Sequence, residues 1–198
     1  MRSLQSALAA GDELLVDMQL RQLADTDKKY SYASVAALFE EGFDGIEKNL
    51  NLAFRWYTRS ATEERDSIGY FGLGRFYLHG KCVEKNYQKA ISLFETANNM
   101  GSAEAAILLG YCHMNGVGTV KNIDQAERFL RPAAEKGYIL AYAMLSRTAF
   151  RKHHYWRASK LWWRTVSEGR RLSLHSPRAA QLYGLDGAWK LPKNLVDE

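Results

Sequence analysis

Cysteine and proline are scarce in this chain, with two cysteines and three prolines in 198 residues. A lone pair, Cys82 and Cys112, matches no disulfide framework, which argues against a disulfide-stapled scaffold. Few prolines and a hydrophobic fraction of 46% argue against a disordered chain. No apolar run is long enough for a signal peptide at residues 1–10 or for a bilayer span further on. A cytoplasmic protein is therefore the default expectation, and a periplasmic or secreted one if a leader has been removed.

Patterns for catalysis and for cofactor binding are also missing. The one set of four zinc-type side chains is His79 and Cys82 with Cys112 and His113. Adjacent helical residues point about 100° apart, so Cys112 and His113 are poorly placed to bind one ion, and both are better explained as core residues. The glycines around Val117 have no following Lys-Ser or Lys-Thr, so they are not a phosphate loop. We predict no catalytic residue, no metal and no cofactor.

What the chain does contain is a repeat with a period of 36 residues. Five features of the segment 73–101 return in the segment 109–137, namely Leu73-Gly74, Gly80, Lys85-Asn86, Ala90 and Gly101. Weaker copies lie on both sides, so four units are visible, and no strand pattern is present. A period of this size predicts a stack of small helical units, none of which buries its apolar face alone.

Each unit is predicted to be helix, turn, helix. Gly80 and Gly116 stand at the end of the first helix, where a positive φ closes a helix. Asn49, Asn86 and Asn122 stand where a side-chain oxygen caps the second helix. A small residue follows four positions later and a bulky one four positions after that, which lets the two helices cross closely. In the last unit the turn is about four residues shorter.

These residues resemble the Sel-1-like repeat, a short relative of the tetratricopeptide repeat. The third unit is close to the family pattern from Leu109-Gly110-Tyr111 to Ala133-Ala134-Glu135-Lys136-Gly137. The resemblance implies an all-α protein, an α/α solenoid. We expect one structural domain: a capping helix region at 1–30, four repeats at about 31–66, 67–101, 102–137 and 138–169, and a C-terminal cap at 170–198.

The resemblance also implies a binding surface, because the first helices of such repeats line the concave side. One row of residues falls on that side by register, and it is referred to as the predicted row: Arg75, His79, Tyr111, Asn115, Met144, Arg147 and Arg151. Mixed Arg, Tyr and Met are typical of protein-binding surfaces. A solvated helix face is the alternative. We expected the double substitution Arg75→Glu and Arg147→Glu to weaken binding without loss of helicity.

Charge is unevenly distributed, with a net charge of −2 up to Asn99 and +7 from Met100 onward. A basic end is formed by Lys152, Arg157, Lys160, Trp163 and Arg164. Such a charge attracts an acidic partner. Trp163 stands where other units carry polar residues, so it is either covered by the C-terminal tail or an exposed binding anchor.

The sequence therefore predicts a non-catalytic adaptor that binds a protein or peptide of acidic character in the concave groove. One specific form is an inhibitor or immunity-type protein. The first alternative is single-stranded nucleic acid bound at the basic end, where aromatic and basic residues interleave. A lesser alternative is an enzyme that acts on a cell-wall or small-molecule substrate.

Overall fold

The structure, a computed structural model, describes residues 6, 7, 10, 12, 14–16, 18, 31–42 and 46–173, with side chains up to residue 168. Every regular element in this part is a helix, and it contains no β-strand. The predicted all-α fold class is confirmed. The predicted capping segments, 1–30 and 170–198, lie almost entirely outside the described residues. The chain divides into two compact units, residues 1–102 and 103–198.

From residue 31 onward, the described part of the first unit contains two helical pairs. They are formed by α1 (Tyr32–Glu41), α2 (Leu50–Arg59), α3 (Ser67–His79) and α4 (Tyr87–Asn99), and a π-helical turn, Ser60–Glu64, follows α2. Helix α1 packs against α2, α2 against α3, and α3 against α4. This order, in which each helix packs on its neighbour in sequence, is that of helical-repeat proteins.

The second unit also contains two pairs. Its helices are α5 (Ala103–Asn115), α6 (Ile123–Glu135), α7 (Ile139–Arg151) and α8 (Tyr155–Ser173). Helix α7 packs against α6 and α8 and also contacts α5. The expected boundary at Gly169 lies inside α8, which continues to Ser173. In the preceding pair, by contrast, Gly137 has a positive φ of 91° just after α6.

The predicted helix ends are confirmed. The side chains of Asn49, Asn86 and Asn122 accept hydrogen bonds from backbone N–H groups three residues later, at 2.9–3.1 Å. Gly80 and Gly116 have φ values of 69° and 78°. These polar and glycine positions fix the length of each helix, because they satisfy groups that the helix itself leaves unpaired.

Close helix crossings depend on glycine. A Cβ atom built on Gly74 would lie 2.4 Å from Cε1 of Phe94, and one on Gly110 would lie 2.6 Å from Cγ of Leu130. Phe94 and Leu130 are fully buried. The predicted interlocking of small and large residues is therefore present in the α3–α4 and α5–α6 pairs, and the small partner there is the glycine of the first helix.

Candidate functional site

A cavity of about 490 Å³ lies between α7 and α8 in the second unit. Four residues of each helix line it, and the set is referred to as the end groove: Ser146, Arg147, Phe150, Arg151, Tyr155, Ala158, Ser159 and Trp162. The volume lies in the range of small-molecule and peptide side-chain pockets. Two members, Arg147 and Arg151, belong to the predicted row.

The end groove differs from the preceding pair at two repeat positions. Ser146 occupies the repeat position of Gly110, and its Oγ donates a hydrogen bond of 2.8 Å to the carbonyl of Ala158. Trp162 occupies the position of Leu130, which packs directly on the backbone of Gly110. Trp162 is 40% exposed, whereas Leu130 is fully buried.

Aromatic rings form one wall of the end groove. Phe150 is 62% exposed and Tyr155 is 56% exposed, and their ring centroids lie 5.4 Å apart in an edge-to-face arrangement. Met114 occupies the position of Phe150 in the preceding pair and is fully buried. The difference in exposure arises because α7 packs on α5 and α6, while no described helix of this unit packs on the outer side of α7 and α8.

Two arginines give the end groove its charge. Arg151 Nη1 donates a 2.8 Å hydrogen bond to the carbonyl of Met114, near the end of α5. This bond fixes the guanidinium and leaves its remaining donors available. Arg147 is exposed and makes no ion pair with any described carboxylate of the second unit. The groove thus combines apolar rings with two arginines that no described carboxylate of this unit neutralises.

Two residues of the predicted row, Met144 and Arg75, stabilise the fold and do not form an open binding surface. Met144 is 1% exposed and belongs to the core of the second unit, so its assignment to a binding surface is wrong. Arg75 donates to the buried carboxylate of Glu40 at 2.7 Å, so it is an internal partner and not a free groove residue. The same carboxylate accepts from Lys81 and from the hydroxyl of Tyr57.

The remaining members of the predicted row are placed separately in the two units. His79 is half-buried in the first unit. Tyr111 is half-buried in the second unit, and the exposed Asn115 donates from Nδ2 to the carbonyl of Tyr111 at 3.1 Å. Within the described residues, members of the predicted row line a cavity at the end groove, where Arg147 and Arg151 lie.

The basic end is partly neutralised within the chain. Glu127, nearly buried, accepts hydrogen bonds from Arg131, Lys152 and Arg157, and Lys152 also donates to Asp124. Sequence spacing does not reveal these pairs, because Glu127 lies 25 residues or more before Lys152 and Arg157. The charge that the basic end presents to a partner is correspondingly smaller than the sequence count implies.

The rest of the basic end is exposed. Arg164 lies over the ring of Tyr142, with 4.7 Å from Cζ to the ring centroid. Lys160 makes no ion pair with a described residue of its unit. Trp163 is 62% exposed and contacts Trp162, at 5.9 Å between ring centroids. The tail proposed to cover Trp163 lies outside the described residues.

Glu127 should make the stability of the second unit depend on pH. Burial raises the pKa of Glu127, but hydrogen bonds and charge from Lys152 and Arg157 outweigh it, so the pKa lies below its ordinary value. A lowered pKa stabilises the folded state at pH values above the ordinary pKa of 4.5. This stabilisation is lost as the pH falls through the lowered pKa, because the carboxylate is then protonated in the folded state too. In urea unfolding, Glu127→Gln should therefore cost about 1–2 kcal/mol at pH 7 and progressively less below pH 4.

The matched control for this prediction is Glu135→Gln, at an exposed carboxylate on the same helix. It should leave both the unfolding free energy and its acid limb close to those of the unchanged protein. Equal pH profiles for Glu127→Gln and the unchanged protein would contradict the assignment of Glu127 as the anchor of this ion cluster.

The described part contains no cluster of three or more His, Cys, Asp or Glu side chains that could bind a metal. Burial raises the pKa of Cys112 to about 12, which keeps the thiol protonated at neutral pH. Burial, followed by the charge of Glu40, raises the pKa of Tyr57. No helix in the described part combines the length and the apolar character needed to cross a bilayer.

The fold and the repeat positions define a helical-repeat protein. A family model, the Sel1 repeat, matches residues 29–63, 67–102 and 103–138, which together exceed half of the chain. The chain belongs to the Sel1 repeat family, so the predicted family and the solenoid class are confirmed. Sel1 repeats generally mediate protein–protein interactions, and proteins built from them are generally non-catalytic.

Similar proteins agree with this assignment. A Sel1 repeat protein from Oxalobacter formigenes has a solved structure with a TM-score of 0.63 and 28% identity, over 78% of this chain and 60% of that one. The uropathogenic Escherichia coli protective antigen c5321, which displays the SLR fold, matches with a TM-score of 0.66 and 22% identity, over 82% of this chain and 36% of that one. This second likeness concerns the fold alone.

Two relatives are similar in sequence over about half of the chain. NMB1327 of Neisseria meningitidis is 31% identical over 93 residues, and the chitin synthase regulator SKT5 of Saccharomyces cerevisiae is 30% identical over 102 residues. The matches cover 47% and 50% of this chain. The chain spans only 20% and 14% of the lengths of these two curated relatives.

Proposed function

We propose that this chain is a non-catalytic adaptor that binds an acidic segment of a protein through the end groove. The observation that carries the proposal is the combination of exposed aromatic rings with Arg147 and Arg151 around one cavity. Aromatic residues and arginine are the types that contribute most to binding at protein interfaces. The role of the family in protein–protein interaction supports the same function.

The end groove replaces the longer concave groove as the proposed site. Met144 is buried and the guanidinium of Arg75 is bound to Glu40, so these two residues contribute little surface for a partner. Phe150, Tyr155 and Trp162 supply apolar area that the sequence analysis did not assign to binding. The positive charge at the groove favours Asp and Glu in the bound segment, because opposite charges raise the association rate and discriminate against basic segments.

Selection from a displayed library of random peptides tests this function. The unchanged protein should enrich peptides that contain acidic residues beside an aromatic or aliphatic one. Arg147→Glu should abolish the acidic enrichment, and Lys160→Glu, which changes the same charge on α8 outside the groove lining, should preserve it. Enrichment that survives Arg147→Glu but is lost with Lys160→Glu would contradict the assignment of the site.

The same protein variants also test the alternative function, binding of single-stranded nucleic acid. Internal pairing of Lys152 and Arg157 with Glu127 leaves fewer free cations for a phosphate backbone. A 20-nucleotide single-stranded oligonucleotide should therefore be retained only at low salt. Tight retention at physiological salt, sensitive to Lys160→Glu, would overturn the adaptor proposal in favour of the nucleic-acid alternative.

A further inference from the structure

The second unit shows what fills a groove equivalent to the end groove. Helix α7 packs on both members of the preceding pair, α5 and α6. It contributes Ala141, Tyr142 and Leu145 to the same buried cluster as Met114 and Leu130. Met114 and Leu130 occupy the repeat positions of Phe150 and Trp162. A helix with a small residue followed four positions later by Leu therefore covers the residues that are exposed in the last pair.

From this equivalence we propose that the occupant of the end groove is an amphipathic α-helix of a partner protein, docked as α7 is docked on α5 and α6. This inference rests on the proposed function and names the kind of partner that the site accepts. Helix-in-groove binding uses apolar anchors at positions i, i+3, i+4 and i+7 of the bound helix. Phe150, Tyr155 and Trp162 provide apolar surface for such anchors.

Charge specifies the partner helix further. In the preceding pair, the residues beside the groove are Tyr111 and Asn115, and in the last pair they become Arg147 and Arg151. If the partner helix docks on α7 as α7 docks on α5, the partner residue equivalent to Arg147 lies beside Arg147 of the protein. A basic residue there meets repulsion and an acidic residue meets attraction, so the partner helix carries Glu or Asp at this position.

The chain itself supplies the probe for an experiment. The probe is a labelled 14-residue peptide with the sequence of residues 138–151, which includes α7, and its matched counterpart carries the single change Arg147→Glu. Binding to the full-length protein is measured by fluorescence anisotropy. The Arg147→Glu peptide should bind about tenfold more tightly than the native-sequence peptide, since one like-charge contact becomes an ion pair.

Reversing the charge of Arg147 in the protein tests whether the peptide preference depends on this residue. With Arg147→Glu in the protein, the preference should reverse, and the native-sequence peptide should bind more tightly. Phe150→Asp should weaken both peptides at least tenfold because it places a charge in the apolar wall. Trp156→Ala, at an exposed side chain outside the groove lining, should change neither affinity by more than about twofold. Absence of the reversal, or absence of binding by both peptides, overturns the helical proposal.

A helix-breaking peptide separates the helical inference from the broader function. Ala143→Pro, introduced into the Arg147→Glu peptide, disrupts an α-helix at a cost of about 3 kcal/mol. Binding should fall at least tenfold. Unchanged binding of the proline peptide would overturn the helical inference and leave the acidic-segment function intact. Loss of the Arg147 dependence in the peptide-library selection, by contrast, would overturn the proposed function itself.

Discussion

Arg75→Glu should lower the free energy of unfolding of the first unit by about 2–3 kcal/mol. Glu40 is buried, with 8% of its side chain exposed, and Arg75 is its closest cation at 2.7 Å. The substitution would place a second carboxylate against Glu40, and Lys81, at 3.4 Å, would be left as the one cation paired with it in the described part of the unit. Chemical denaturation followed by circular dichroism measures the loss.

The same charge reversal at an exposed arginine tests whether the loss of stability comes from Glu40. Arg147→Glu makes the same change of charge at an exposed site in the second unit, and it should alter stability by less than about 0.5 kcal/mol. Adding Glu40→Gln to Arg75→Glu should recover part of the lost stability because it removes one of the two opposed charges. If Arg75→Glu and Arg147→Glu unfold alike, Glu40 is not the anchor that we describe.

This result corrects the expectation for the double substitution at Arg75 and Arg147. The pair was expected to report on one binding groove while helicity stayed intact. The structure assigns the two arginines different roles: Arg75 stabilises a buried carboxylate, and Arg147 lines the end groove. Only Arg147→Glu is therefore a clean probe of binding.

Gly110→Ala should destabilise the second unit by about 2 kcal/mol, although alanine favours helix more than glycine does. The added Cβ would lie 2.6 Å from Cγ of Leu130, whose side chain is fully buried and has little freedom to move. Leu130→Ala alone should cost about 2–5 kcal/mol through the cavity that it creates. The free energy of unfolding from urea denaturation measures each variant.

The double variant Gly110→Ala with Leu130→Ala isolates the contact. Its cost should be less than the sum of the two single costs, because the smaller side chain leaves room for the new methyl group. Ser146→Ala is the matched control at the same repeat position, and it removes only the hydrogen bond to Ala158, worth about 1 kcal/mol. Strict additivity would show that Leu130 does not pack on Gly110.

Local features of the fold could be predicted from the sequence because they recur at a fixed spacing. Asn86 and Asn122, and likewise Gly80 and Gly116, act through their own backbone neighbours, so their roles follow from position alone. The short turn before α8 could be counted directly, since Asn115 and Ile123 enclose seven residues while Arg151 and Tyr155 enclose three. Such predictions need no knowledge of distant contacts.

The long-range ion pairs could not be predicted in the same way, because each cation lies 25 to 41 residues after the carboxylate that it binds. A signal was nevertheless present. Glu40 stands at the repeat position of the buried Leu78 and Met114. A carboxylate at a core position requires a cationic partner, since an unpaired buried charge is very costly. The repeat register is therefore sufficient to indicate a buried carboxylate at Glu40, but not which cation pairs with it.

The end groove was missed for a related reason. Phe150 and Trp162 occupy core positions of the repeat, and a core position does not show by itself whether a following helix covers it. Their exposure depends on packing between elements, and it becomes visible only in the structure. Arg147 and Arg151 both line the cavity, but the cavity itself could not be predicted from their spacing.

The indole N–H resonances of a ¹⁵N-labelled full-length protein provide the most direct test of the central claim, that a partner binds between α7 and α8. On titration with the Arg147→Glu peptide, the Trp162 resonance should shift strongly, while those of Trp156 and the buried Trp56 remain in place. Each resonance is assigned by substituting its tryptophan in turn. A spectrum in which Trp156 shifts and Trp162 does not would contradict the account.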